Sequence, residues 1–206
     1  MKLLDKNKNK NITKILIGTH NKGKIREISY LIKNKIKKIT PFDLGIKSPR
    51  ETGKTFKQNA ELKAKFFYNK SKIVSISDDS GLSIKCLDNK PGIYSARWAK
   101  KYGSFENAMK RIIELVHHTN NKKSNKATFF CALTLQLTNK KKISVLGKID
   151  GSISNKIIGT KGFGYDPIFI PKGHQKTFGQ MNKRKKILMD HRFIAFKKLK
   201  AKINIL

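Results

Sequence analysis

Acidic residues are scarce in this chain. Its 206 residues include 13 Asp and Glu against 47 Lys and Arg, a formal net charge of +34. Arginine is scarce as well. Only six of the 47 basic residues are Arg: Arg26, Arg50, Arg97, Arg111, Arg184 and Arg192. A surface built to grip phosphates draws on Arg, whose planar fork binds their oxygens in pairs. The excess here is Lys, accompanied by much Asn and Ile. That combination reads as drift towards A- and T-rich codons, with a nucleic-acid surface as the competing reading. Cysteine is limited to Cys86 and Cys131. Their separation fits neither a zinc site nor a C-x-x-C motif, which leaves them as core residues.

Long apolar runs are missing too. No segment approaches the length of a membrane span. The N-terminus, MKLLDKNKNKNITK, lacks the apolar stretch of a signal peptide. These features predict a cytoplasmic protein with no membrane partner. Hydrophobic residues make up 38 per cent of the chain, enough for a core. Residues 1 to 13, rich in Lys and Asn, are expected to form a disordered basic arm. Residues 14 to 206 are expected to form a single domain.

Hydrophobic periodicity supplies the elements. Lys14 to Gly18 reads as a strand, Lys24 to Lys35 as a helix, and Lys38 to Phe42 as a second strand. A loop covers Asp43 to Gly53, and Thr55 caps a long helix to Asn69. Ile73 to Ile76 reads as a short strand. The following Ser80-Gly81 reads as a turn into a partner strand, Leu82 to Leu87. Pro91 to Trp98 is expected to be irregular. Ser104 caps a helix to His118, and a charged loop spans 120 to 125. Ala127 to Thr138 and Ile143 to Ile149 form a hairpin. A strand over Pro167 to Ile170 follows a glycine-rich loop, and one last helix covers Lys186 to Ala201. Strands and helices mixed in this way predict an α/β fold on a mixed sheet.

Four elements could carry chemistry. Thr19-His20-Asn21-Lys22-Gly23-Lys24 lies between a strand and a helix, where backbone N–H groups, a hydroxyl and a lysine can cradle phosphate. It is not a Walker A sequence, and a plain strand-to-helix turn is the alternative. Asp78 and Asp79 sit side by side in SDDSGL, and Glu51 lies in a loop before a helix. Such carboxylates can hold a divalent cation and polarise a water. About one adjacent acidic pair is expected by chance in this composition, so the pair carries weight only in company. In GFGYDPIF, Gly162 to Phe169, Phe163 and Tyr165 alternate with small residues and offer stacking surfaces for a base. Lys186 and His191-Arg192 lie five or more apart at the start of the last helix. A break between them would let both reach one ligand.

The order of these blocks is more specific than any one of them. T-x-N-x-x-K, then E-T-G before Asn59-Ala60 and Lys63-Ala64, then S-D-D-S-G-L, P-G-I-Y-S-A-R, G-F-G-Y-D-P-I-F and a late K…H-R run from residue 14 to about 200. In this the chain resembles the inosine triphosphate pyrophosphatase family, the XTP/dITP diphosphatases. The resemblance implies an elongated, two-lobed mixed-sheet fold with a central substrate cleft. It implies hydrolysis of ITP, dITP or XTP to the monophosphate and pyrophosphate, with one Mg²⁺ per subunit, in a homodimer. By the same resemblance, Thr19 to Lys24 would hold the triphosphate and Asp79 would be the general base. Glu51, Asp78 and Asp79 would hold the metal, and Ser80 would touch substrate. Phe163, Gly164, Tyr165 and Asp166 would line the base and sugar pocket, with Lys186, His191 and Arg192 closing over the base.

The chain departs from the family pattern at Asp190, where a Ser commonly precedes His-Arg, at Arg50 beside Glu51, and in the basic stretch Asn182 to Lys186. A basic nucleic-acid-binding protein would account for the charge but not for the ordered acidic and aromatic blocks. A Maf-type nucleotide pyrophosphatase would lack the G-F-G-Y-D and late His-Arg blocks.

Overall fold

A computed structural model describes residues 12–119 and 125–203. Most of the expected N-terminal arm and of the charged loop at 120–125 lies outside the described residues. The elements, in order, are β1 (Lys14–Ile17), α1 (Lys22–Leu31), β2 (Lys37–Ile39), α2 (Phe56–Ser71), β3 (Ser75–Ile84) and β4 (Lys90–Pro91). They continue with α3 (Ser95–Lys101), α4 (Phe105–His118), β5 (Lys126–Gln136), β6 (Lys142–Ile153), β7 (Phe169–Pro171), α5 (Lys183–Ile187) and α6 (His191–Lys202). The strands form one sheet in the order β2-β1-β3-β5-β6-β7, with β4 added to β3. β1 runs parallel to β2 and β3, and the other pairs are antiparallel. The expected mixed α/β sheet is therefore present.

Local capping chemistry sets the helix starts. The Thr55 hydroxyl accepts the Gln58 N–H at 3.1 Å, and the Ser104 hydroxyl accepts the Asn107 N–H at 3.0 Å. Both helices begin where the sequence places them. Three expectations need correction. Ser80-Gly81 is not a turn. It lies inside β3, a single ten-residue strand paired with β5 from Ser75 opposite Gln136 to Ile84 opposite Ala127. Glycine serves there because another backbone comes close: a Cβ on Gly81 would lie 2.3 Å from the Gly92 carbonyl oxygen. The stretch expected to be irregular before Trp98 contains β4, a 3₁₀ turn and the start of α3. The single last helix is two, because Asp190 caps α6 by accepting the N–H groups of Arg192 and Phe193, both at 2.9 Å.

The long strands carry two apolar cores in succession. Ile76 of β3 and Cys131, Leu133 and Leu135 of β5 join Ile28 of α1 and Leu199 of α6 in the first. Leu82 and Ile84 of β3 and Ala127 and Phe129 of β5 join Ile112 of α4, Phe169 and Phe178 in the second. Asp78 and Asp79 fall between them on β3, which places the acidic pair at the junction of two lobes. Cys131 is fully buried in the first core, and Cys86 packs at the edge of the second. Among the described residues, no helix is long and apolar enough to cross a membrane.

Candidate active site

A cavity of about 250 Å³ opens at this junction. Of the 17 residues singled out in the sequence, 14 line it: Thr19, His20, Asn21, Lys24, Glu51, Asp79, Ser80, Phe163, Gly164, Tyr165, Asp166, Lys186, His191 and Arg192. The structure thus gathers residues from the loop after β1, from α1 and β3, from the loops bearing Glu51 and Phe163, and from α5 and α6. Lys22, Gly23 and Asp78 lie outside its lining. Lys22 is exposed on α1. Gly23 is buried against Phe163, where a Cβ would come within 2.5 Å of the ring.

Alternation along β3 separates the two acids, because successive side chains leave opposite faces of a strand. Asp79 faces α2. Its Oδ2 accepts the Asn59 amide at 3.1 Å, and its Oδ1 lies 3.5 Å from Lys63 Nζ. Lys63 also donates to Glu51 Oε1, so one ammonium joins the two carboxylates. Burial, and the charge of Glu51 nearby, push the Asp79 pKa above its ordinary value against the pull of Lys63 and Lys24. Burial disfavours the Lys63 ammonium, but Asp79, Asp78 and Glu51 outweigh it and raise its pKa. The loop bearing Glu51 is tied down at its backbone, where the Arg97 guanidinium donates to the Glu51 carbonyl at 2.8 Å.

Asp78 faces the other way and is fully buried. Lys24 Nζ and Arg192 Nη2 each lie 3.2 Å from its Oδ2, and Ser80 Oγ donates to the same oxygen at 3.1 Å. Burial alone would raise its pKa, yet Lys24 and Arg192 hold it well below the usual carboxylate range. Arg192, 1 per cent exposed, also donates to Glu27 and to Ser80 Oγ. Lys186 Nζ lies 2.5 Å from Glu27, 3.0 Å from Asp166 and 3.5 Å from Asp190. It also sits 4.9 Å from the Phe163 ring centre, a cation–π distance. The donors expected to close over a base are therefore held in a buried charge network centred on Glu27.

His191 differs from them. Its ring stacks on Phe129 at 4.8 Å, and its Nδ1 has no partner among the described residues. Burial first, then the nearby charge of Arg192 and Lys186, drives its pKa well below 6.5, so the imidazole is neutral. At the phosphate end, the Asn21 side chain caps α1 by accepting the Lys24 N–H at 3.0 Å. His20 Nδ1 pairs with Ser48 Oγ at 2.6 Å. In the G-F-G-Y-D loop, Asp166 accepts the Phe163 N–H at 2.9 Å, and the Tyr165 hydroxyl donates to the Ser95 carbonyl at 2.8 Å.

Comparison with known proteins shows the family. The profile of the Ham1 family matches residues 15–202. The chain belongs to the Ham1 family. Among its relatives, the dITP/XTP pyrophosphatase of Caulobacter vibrioides is 43% identical over 188 residues, covering 91% of this chain and 96% of that protein. The dITP/XTP pyrophosphatase of Zymomonas mobilis is 37% identical over 189 residues, covering 91% and 90%. The solved structure of a HAM1 protein from Coxiella burnetii superposes with a TM-score of 0.84 at 28% identity, covering 94% of this chain and 99% of that one. The Staphylococcus aureus Ham1 protein gives 0.80 at 31% identity, covering 93% and 98%.

In this Ham1 chain, sequence reasoning about the site did not assign roles to Lys63, Asn59 and Glu27. A signal existed for the first two. Asn59 and Lys63 are four apart on α2, on the same face as the buried Ala60 and Ala64. Polar residues on a buried helical face need partners, and these find Asp79 and Glu51. Glu27 follows the same logic, being a buried acid next to Ile28 on the core face of α1.

Proposed function

We propose that this chain hydrolyses deaminated purine nucleoside triphosphates (ITP, dITP and XTP) to the nucleoside monophosphate and pyrophosphate, clearing them from the nucleotide pool. The observation that carries this reading is one cavity lined by two kinds of group. The carboxylates Glu51 and Asp79, with the α1 N-terminus and Lys24, suit a metal-bound triphosphate. The Phe163 ring and the neutral His191 suit a purine.

Glu51 and Asp79 suit a divalent cation. Both line the same space, and two carboxylates with water and phosphate oxygens completing the shell are what Mg²⁺ accepts. Bound there, Mg²⁺ supplies neutralisation of charge on the phosphate oxygens. Asp78 is committed to Lys24 and Arg192. Its part is to fix those cations rather than to hold the metal.

The chain's own residues do the rest. The N–H groups opening α1, with Thr19, Asn21 and Lys24, bind phosphate oxygens. Asp79, made more basic by burial, takes the proton of a water that attacks the α-phosphorus. The bond from that phosphorus to the bridging oxygen breaks, and pyrophosphate leaves with the electron pair. Phe163 stacks on the base. Deaminated purines carry a carbonyl at position 6 where adenine carries an amine. The His191 imidazole donates to that carbonyl, and Lys186 and Arg192 favour it electrostatically. An amine there leaves donors facing donors, which costs about 1–3 kcal/mol. The working enzyme is a cytoplasmic homodimer of one domain per chain, from residue 14 onward, and needs no nucleic acid.

Hydrolysis of ITP in ¹⁸O-labelled water tests the chemistry. The label is expected in the monophosphate. Label in pyrophosphate, or release of orthophosphate, would overturn attack at the α-phosphorus.

A further inference from the structure

The cavity contains a cation of its own. The Lys63 side chain, 7 per cent exposed, reaches from the middle of α2 to the two carboxylates assigned above to Mg²⁺. Its ammonium donates to Glu51 Oε1 and lies 3.5 Å from Asp79 Oδ1. Asn59, one turn earlier, holds the other Asp79 oxygen at 3.1 Å and accepts the Gly53 N–H at 2.7 Å. The carboxylates thus have a fixed neutral partner and a charged one. Mg²⁺ needs its oxygens at about 2.1 Å and brings two positive charges. An ammonium on the same oxygens competes for lone pairs and repels the incoming ion.

We infer that Lys63 is a resident counter-cation. It keeps Glu51 and Asp79 together in the metal-free protein and leaves them for a nucleotide phosphate when the metal and nucleotide enter together. The inference rests on the proposed assignment of Glu51 and Asp79 to the metal. A lysine suits the task, because four flexible methylenes let the point charge move without moving the helix. The consequence is an ordered site. Mg²⁺ alone binds poorly, and a phosphate chain promotes its entry by taking the ammonium.

Calorimetric titration of Mg²⁺, without nucleotide, into the wild type, Lys63→Met and Lys63→Gln tests this. Both variants are expected to bind Mg²⁺ at least tenfold more tightly than the wild type. Mg²⁺ is also expected to raise their melting temperatures by more than it raises that of the wild type. Equal or weaker binding by the variants overturns the counter-cation and leaves the carboxylate assignment standing. Absence of binding in all three proteins overturns both. Should the variants fail to fold, the wild type labelled with ¹⁵N-lysine carries the test. Its buried ammonium groups are those of Lys63 and Lys186 among the described residues. One of their signals is expected to shift with Mg²⁺ plus pyrophosphate and to stay with Mg²⁺ alone. A shift with Mg²⁺ alone, or none with both, contradicts the inference.

Discussion

Asp78 and Asp79 are neighbours in the chain and opposites in the fold. One is sealed between Lys24 and Arg192, the other turned to the cavity with Asn59 and Lys63. Loss of charge should therefore produce two different phenotypes. Asp79→Asn should lower kcat by about 10² to 10⁴, the worth of a general base, with the fold intact and nucleotide still bound. Asp78→Asn should instead cost about 3–5 kcal/mol of stability, because it removes the buried charge that Lys24 and Arg192 share. Denaturant unfolding and steady-state rates on both variants check this. Equal effects from the two would contradict the division of labour.

Arg192 lies between Glu27 and Asp78, and its replacement takes one of two cations from each buried acid, leaving Glu27 to Lys186 and Asp78 to Lys24. Arg192→Ala should lose about 3–5 kcal/mol of stability and fall in kcat/KM on every triphosphate. Arg192→Lys should recover part of the stability, since it restores the charge without the fork. Recovery of activity to wild-type level by lysine would show that the paired geometry is dispensable.

Stability should depend on pH through Asp190. Burial and the neighbouring charge of Glu27 raise its pKa to about 6, against the pull of Lys186 and Arg192. An acid with a raised folded-state pKa binds more protons folded than unfolded, so stability falls as pH rises from about 4 to about 6. Asp190→Asn keeps the helix cap and removes this term. Its stability relative to the wild type should improve by about 1–2 kcal/mol between pH 5 and pH 8. Asp78 and Glu27, whose pKa values are lowered, act oppositely: their stabilisation is lost as pH falls below about 4. A pH-independent difference between Asp190→Asn and wild type would sink the Asp190 account.

Gly23 lets the Phe163 ring rest against α1, since a Cβ there would come within 2.5 Å of it. Gly23→Ala should push the ring and raise KM for the nucleotide, with a smaller change in kcat. Unchanged KM in a folded variant would remove Phe163 from base binding.

Most of the fold and most of the cavity lining were legible in the sequence because they rest on local signals. Thr55 and Ser104 announce their helices, and ordered blocks such as G-F-G-Y-D announce the lining. The continuous strand through Ser80-Gly81 was not legible. Glycine after serine ordinarily signals a turn, and only the approach of the Gly92 carbonyl, eleven residues on, explains it. Nor were the partners of Arg192 and Lys186. Glu27 lies 165 and 159 positions away, and charge pairing at that separation is set by the way α1 packs near α6, which no local pattern encodes.

The central claim is tested most directly by rates of pyrophosphate release from ITP, XTP, ATP and GTP, each with Mg²⁺ and with the metal chelated. The account predicts Mg²⁺-dependent pyrophosphate from ITP and XTP, with ATP, which lacks the 6-carbonyl, far slower. Equal rates on ATP and ITP, or undiminished turnover after chelation, would contradict it.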